Sequence, residues 1–361
     1  MPVRQSTTHV PRPLESLVLA YTPDEDQYLF QAAAPKLPVK HKSDTIRKES
    51  KGALLQNIDL SIGSTGQFPS VSLVMDPSQQ YLTVPYGIEV VLNDDERANS
   101  DSEIAYDQRM VKFGMVAMMT HFEYVAIKQK LRNAASYAGN VIALGPPAGS
   151  GPGPRQWSNY NSLKSDPYSD HLFVCGQIEN RTTKRPNFIG YHARTWDTIV
   201  NHPRVKARAE REMGGGAYMT IELWERILRL KPGTIHLTTA NFNVVKNGED
   251  YRSFVGCDAI FAYNEPQNLA NQGFAQTFWF TGIENSSGMK DYSVTGQEDL
   301  TPAGDIVVRS YPAPWIGKGA TVVKIFGEWD LKILNPQAGF LLQNVVDPTD
   351  PMYLGDLSLF N

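Results

Sequence analysis

The chain is poor in residues that staple, ligate or anchor. It holds two cysteines in 361 residues, Cys175 and Cys257. Two thiols so placed make neither a disulfide framework nor a metal-binding spacing, and they fit a reducing interior as buried structural thiols. The seven histidines (His9, His41, His121, His171, His192, His202, His236) are scattered, with no His-Glu-x-x-His pair. No apolar run approaches the roughly 18 residues of a membrane-spanning helix. The opening MPVRQSTTHVPRP has no apolar stretch of the secretory kind, so no secretory signal is expected. A dominant charge sign is missing as well: the net charge of −4 argues against a chain that binds nucleic acid by overall electrostatics. There is no Gly-x-Ser-x-Gly elbow, no Gly-x-Gly-x-x-Gly after a strand and no phosphate loop. No catalytic residue, cofactor site or metal site is expected.

What is present is a globular composition, 41% hydrophobic and 20% charged. The length suffices for one large or two ordinary domains. The chain is organised around residues 100–138. Ser100 and Glu103 have the capping-box spacing. Asp101 and Asp107 complement the positive end of the helix dipole. Ile104, Val111, Met115, Met118, Phe122 and Val125 then recur at spacings of three and four, one apolar face held over many turns. Ala138-Gly139-Asn140 is the first stop, with Gly139 suited to a left-handed cap. Such a helix would be roughly 50 Å long, well beyond the usual 8–20 residues.

Before this rod, residues 1–13 read as a flexible arm. Residues 36–51 carry six Lys or Arg against two acids. Alternation at 58–62, a Gly-Ser turn at 63–66 and strand-like runs at 71–75 and 81–92 describe a long two-stranded excursion with little core of its own. A ribbon of that kind needs a partner surface. The segment from Glu89 to Asp107 carries seven acids against one arginine, which the helix dipole and a solvated face explain. After the rod, 145–154 is a Gly/Pro linker, and Trp157 anchors a loop ending in Asp166-Pro167. Residues 171–180 fit a strand or a buried helix. A short strand at 185–191, a helix over 193–212 interrupted at His202-Pro203, a stop at Gly214-Gly215-Gly216 and a helix capped by Thr220 follow. Strands are expected at 235–245, 254–263, 274–283, 305–311 and 320–334, and 335–361 as a Pro-rich tail. Arg204, Lys206, Arg208 and Arg211 read as a solvated helix face, His121 as a polar surface or interface residue, and Phe274, Phe278, Trp279 and Phe280 as core.

In order and spacing the parts are more telling than any motif. A proline-bracketed extended segment (Phe30 to Val39), a long hairpin and the turn YGIEVVLNDDERAN precede the rod. The Trp157 loop, Arg185-Pro186-Asn187-Phe188-Ile189-Gly190, Thr195-Trp196-Asp197-Thr198-Ile199 and Asn201-His202-Pro203-Arg204-Val205 come after it. Over roughly residues 14–345 this resembles the major capsid proteins of tailed bacteriophages, the Hong Kong 97 fold.

The resemblance implies an α+β fold with an N-terminal arm (1–45), an extended β-hairpin loop lying over a neighbouring subunit (46–90), a peripheral domain (91–170 and 319–361) with spine helix 100–138 and the long strand 320–334, and a mixed α/β axial domain (171–318). It implies a virion shell protein, not an enzyme, assembled in the host cytoplasm into pentamers and hexamers around double-stranded DNA without sequence-specific binding. Partners would be other copies, a portal, and scaffolding or decoration proteins; the short arm leaves no room for a scaffolding segment within this chain, and no membrane is involved. Inter-subunit contacts are expected at Ile62, Phe68, Val71, Leu73, Met75 and Tyr81 of the extended loop, and basic inner-surface residues at Lys40, Lys42, Arg47 and Lys48. The alternatives are a cell-encoded nanocompartment shell of the same fold and a soluble enzyme or nucleic-acid-binding protein.

Overall fold

The computed structural model describes residues 28–49, 75–99, 103–145, 155–214, 218–243, 251–265, 273–281, 307–317 and 319–347. In chain order the first half holds α1 (Phe30–Ala33), β1 (Lys36–Val39), β2 (Ser43–Glu49), β3 (Met75–Leu82), β4 (Val84–Asn93), α2 (Asp94–Ala98), α3 (Glu103–Glu123) and β5 (Val141–Ala143). The second half holds α4 (Pro167–Thr182), β6 (Phe188–His192), α5 (Ala193–Asn201), α6 (Pro203–Met213), α7 (Ile221–Ile227), β7 (Ile235–Thr238), β8 (Asn241–Asn243), β9 (Tyr251–Ser253), β10 (Ala259–Ala262), β11 (Ala275–Phe280), β12 (Val307–Pro312), β13 (Ala320–Ile333) and β14 (Gly339–Gln343).

The rod is real but ends earlier than its apolar pattern suggests. The 21 residues of α3 run directly into an eight-residue π-helical stretch, Tyr124–Leu131, closed by the Arg132 N–H on the Ile127 carbonyl at 2.8 Å. Together they span roughly 40 Å at the helical rise. Residues 132–138 do not continue it, because Arg132 turns inward to Asp258 and Asn133 caps a separate 3-10 turn, Ala134–Tyr137. Ala138 (φ 47°) and Gly139 (φ 89°) are both left-handed, so the stop signal marks this extra turn and not the end of the rod. The expected Ser100 cap lies outside the described residues.

Val111, Met115, Met118, Met119 and Phe122 bury one face of α3 against the first sheet. That sheet is built on β13, the longest strand. Along one edge β4 pairs antiparallel from Ala320↔Asn93 to Trp329↔Val84. Along the other, β12 covers Thr321 to Phe326 and β11 covers Trp329 to Ile333. β1 adds a parallel strand outside β11. At Gly114 the helix touches this sheet, where an added Cβ would lie 2.7 Å from Val90 Cγ2.

The second sheet has the order β5-β14-β10-β6-β7. Phe188, Ile260 and Ala262 face the α3 core, whereas Ile189, Tyr191, Ala259 and Phe261 face a second core beneath α4–α7. This alternation is the period-2 pattern of a sheet covered on both faces.

One expectation changes here. Residues 339–343, read as part of a Pro-rich tail, form the second strand of this sheet, because β14 lies between β5 and β10. Of the two readings of residues 171–180 the helical one holds, within α4, which starts at Pro167 with Asp166 as cap. β14 joins the second sheet, while β11 and β12 join the first. Among the described residues, no helix is long and apolar enough to cross a membrane.

Candidate assembly surfaces

The hairpin is rooted firmly. β2 and β3 pair antiparallel from Ser43↔Leu82 to Glu49↔Met75, with a register shift between Ile46 and Lys48. Ile46 and Tyr81 close over Leu37, Val39, Phe278 and Leu334, a third small core between the ribbon and the first sheet. Tyr81 stacks on Phe278 with ring centroids 4.5 Å apart and planes 3° from parallel. Two acids of β13 tie the root down. Glu328 Oε1 accepts from Lys42 Nζ at 3.0 Å, and Asp330 Oδ2 accepts the Leu82 N–H at 2.9 Å. The Thr83 N–H closes the crossing by donating to the Lys42 carbonyl at 2.8 Å.

These contacts place the sequence candidates. Tyr81 is covered by its own chain, and Lys42 is held in an ion pair within it. Lys40 is exposed. Arg47 lies at the register shift of β2, Lys48 opposite Asp76, and Met75 opposite Glu49. Ile62, Phe68, Val71 and Leu73 lie outside the described residues, as do the turn at 63–66, the strand at 58–62, most of the 145–154 linker and Gly215-Gly216.

Side-chain clusters that resemble catalytic ones turn out to be structural. Ser165 Oγ lies 3.2 Å from His202 Nε2 in a buried site. His202 Nδ1, however, accepts the Arg204 N–H at 3.3 Å as the cap of α6. Nε2 is therefore the protonated nitrogen and donates to Ser165, whose own proton goes to the Gln156 carbonyl at 2.9 Å. The imidazole has no lone pair left for Ser165, so the pair cannot act as base and nucleophile. Burial pushes the Cys175 thiol up to about 12, the opposite of an activated thiolate. His171 is sealed between the Pro167 carbonyl and the Tyr191 hydroxyl, and burial pulls it down to about 4. Trp157 Nε1 donates to Asp170 at 2.8 Å, and burial raises that carboxyl to about 6. Of the basic run, Lys206 and Arg211 are exposed, as a solvated helix face requires, while Arg204 pairs with Asp166 at 3.2 Å and Arg208 lies over the Tyr168 ring at 3.4 Å. Phe274, Phe278, Trp279 and Phe280 are buried, as their strand pattern suggested. Among the described residues no group of His, Cys, Asp and Glu is arranged to hold a metal ion.

No protein-family model and no curated protein matches the chain. Solved structures do. A phage-related protein from Bordetella bronchiseptica RB50 superposes over 94% of this chain and 99% of its own, at 16% identity, with a TM-score of 0.65. The capsid structure of cyanophage P-SCSP1u covers 90% of both chains at 11% identity with a TM-score of 0.50. The chain has a phage-capsid fold. An encapsulin complex from Synechococcus elongatus PCC 7942 is similar over 95% of this chain and 98% of its own, at 15% identity and a TM-score of 0.43.

On this phage-capsid fold the exposed large apolar side chains are spread over the described residues, among them the hairpin root, the rod, α4 (Leu172, Phe173) and several loops. Leu82 and Val84 flank the crossing from β3 to β4, and Phe113 stands on α3, 65% exposed. Leu163 and Trp315, in loops, are 86% and 74% exposed. The helical spacing that flagged the buried face of α3 carried no signal for Phe113, which lies off that stripe. Scattered single residues of this kind need no special account, but three of them border the ribbon or the rod.

Proposed function

We propose that the chain is the major capsid protein of a tailed phage, with many copies forming the pentamers and hexamers of an icosahedral head around double-stranded DNA. The observation that carries this reading is the ribbon rooted on β13 of a phage-capsid fold. β2 and β3 form a two-stranded sheet of their own beside the first sheet, and Leu82 and Val84 at its root are exposed. A two-stranded ribbon is marginal in water without a surface to lie on. If each copy lays its ribbon on the next, the contact is heterologous, and such contacts close into rings.

In this reading the first sheet with α3 is the peripheral layer, and the second sheet with α4–α7 the axial one. Residues 1–45 form the arm and 46–90 the extended loop, whose Ile62, Phe68, Val71, Leu73 and Met75 contact the neighbouring subunit. Lys40, Arg47 and Lys48 face the DNA as non-specific phosphate partners. Portal and scaffolding or decoration proteins would complete the head, assembled in the host cytoplasm. The role is structural and asks no chemistry of the chain.

Sedimentation and negative-stain imaging of the expressed full chain test it. Closed particles are the expected outcome, and a species that stays near the chain mass of 40.2 kDa overturns it. The contents of the particles separate this reading from a cell-encoded nanocompartment: nucleic acid supports the virion, a packaged enzyme the nanocompartment.

A further inference from the structure

Glu123 is the last residue of α3, at the point where α-helical bonding gives way to π-helical. It is fully buried. Its partners come from the segment entering the fold. Oε1 accepts the Leu29 N–H at 3.0 Å and Oε2 the Phe30 N–H at 2.8 Å. Those two N–H groups open α1, which has no side-chain cap of its own, so a carboxyl group 93 residues away in sequence does the capping. The Phe30 and Phe122 rings pack edge to face at 6.0 Å over the site, and Tyr28 Oη lies 3.4 Å from Thr120 Oγ1.

The titratable and cationic groups on the packed elements are engaged elsewhere. Lys36 of β1 lies over the Trp279 ring at 4.1 Å, and His236 of β7 stacks on Phe188. On the rod itself His121 lies against Tyr86, Tyr124 meets Phe242 edge to face, and Lys128 sits in the field of Arg132, Asp258 and Arg252. Among the described residues no cation forms an ion pair with Glu123. A buried carboxylate whose hydrogen bonds come from two backbone N–H groups alone carries an uncompensated charge whenever it is ionised.

We infer that Glu123 is a protonation-controlled latch, holding residues 28–34 on the long helix when neutral and loosening them when ionised. Burial raises the carboxyl from 4.5 to about 7, even though the two N–H groups pull the other way. Once residues 28–34 lift away, the group meets water and titrates as an ordinary glutamate. The closed state then binds more protons than the open one between those two values, so acid favours closure and rising pH favours release. From about pH 5 to about pH 8 the opening equilibrium rises roughly seventyfold.

Hydrogen exchange of the peptide covering residues 28–35 in the full chain, corrected for intrinsic rates, reads this directly. Protection is expected to fall by tens of fold over that range, with an inflection near neutrality, while residues 320–333 of the first sheet stay flat. In Glu123→Gln, which keeps one acceptor and cannot ionise, the inflection should vanish. A flat wild-type profile overturns the latch even if the variant fails to fold, and so does an inflection that survives in Glu123→Gln. Neither outcome depends on shell assembly.

Discussion

At the scale of single residues, Arg132 is where the end of the rod is fixed to the rest of the molecule. Its Nε donates to Asp258 Oδ2 at 2.7 Å and its Nη1 to the Phe254 carbonyl at 3.0 Å. Gly256, at φ 62°, makes room: an added Cβ would lie 2.9 Å from Arg132 Nη2. Arg132→Ala leaves Asp258 buried without its cation and should cost about 2–4 kcal/mol, read as a lower urea midpoint with an unchanged slope. Arg132→Lys should recover little, because an ammonium cannot reproduce the two-pronged contact. Gly256→Ala should destabilise through both collision and the left-handed backbone. A second residue-scale prediction concerns acid. His171 is fully buried and pulled from 6.5 to about 4 by burial, and His192 moves the same way to about 4. A histidine depressed in the fold contributes its stability above its unfolded value and loses it as the pH falls toward the folded one. Each should therefore cost roughly 1 kcal/mol between about pH 7 and about pH 5.5. Asp170, raised to about 6, opposes this, because the fold prefers its protonated form. In urea titrations at the two pH values, His171→Gln should show a shallower acid loss than wild type.

At the scale of elements, the contact between α3 and the first sheet depends on a residue that a helix usually avoids. Glycine inside a helix costs about 1 kcal/mol relative to alanine. Gly114 is tolerated because its missing side chain lets α3 settle onto β4 and β13, with Val90 Cγ2 at 2.7 Å and Ile325 Cδ1 at 3.0 Å from where a Cβ would sit. Gly114→Leu should push the helix off the sheet and cost about 2–3 kcal/mol by thermal or urea unfolding. What could be read from sequence among the elements was what local chemistry decides. Thr220 accepts the Leu223 N–H at 3.2 Å as a cap should, and the break at His202-Pro203 separates α5 from α6. The strand signal of 320–334 became β13 almost residue for residue. What could not be read was decided by distant partners. Apolar positions continue past Leu131 to Tyr137, yet the rod stops where Asn133 turns to an extended backbone and caps the next turn, beside an Arg132 held by Asp258, 126 positions away. Residues 339–343 carry no strand signal beyond a short apolar run after Pro336; β5 and β10 make them a strand. The hairpin root was not legible: the alternation read at 58–62 lies outside the described residues, residues 43–49 showed only a basic excess yet form β2, and the stacking of Tyr81 on Phe278 joins positions far apart in the chain.

At the scale of the whole molecule, the ribbon and the body are held together by different means. The body has two large cores on either face of the second sheet. The ribbon root shares a cluster of six buried apolar residues with the first sheet and has three polar ties, to Glu328, Asp330 and the Leu334 carbonyl. Residues 50–74 lie outside the described residues. Residues 75–82 are different, because β3 pairs with β2 and carries Tyr81 into the root. A cut reaching residue 80 would damage the body and confuse folding with assembly. Replacing residues 52–72 by a short Gly-Ser turn keeps every described pair of β2 and β3. The variant should match the wild type in circular dichroism and lie within about 1 kcal/mol of it in urea, since surface changes away from a core seldom exceed that. Its particles should nevertheless disappear, leaving single chains or open rings on sedimentation. If shells of normal size form from this variant, copies are joined by some other surface, with Phe113 on the rod the first to test. Loss of both fold and shells would instead mean that residues 52–72 stabilise their own chain, and the ribbon would not be an assembly arm.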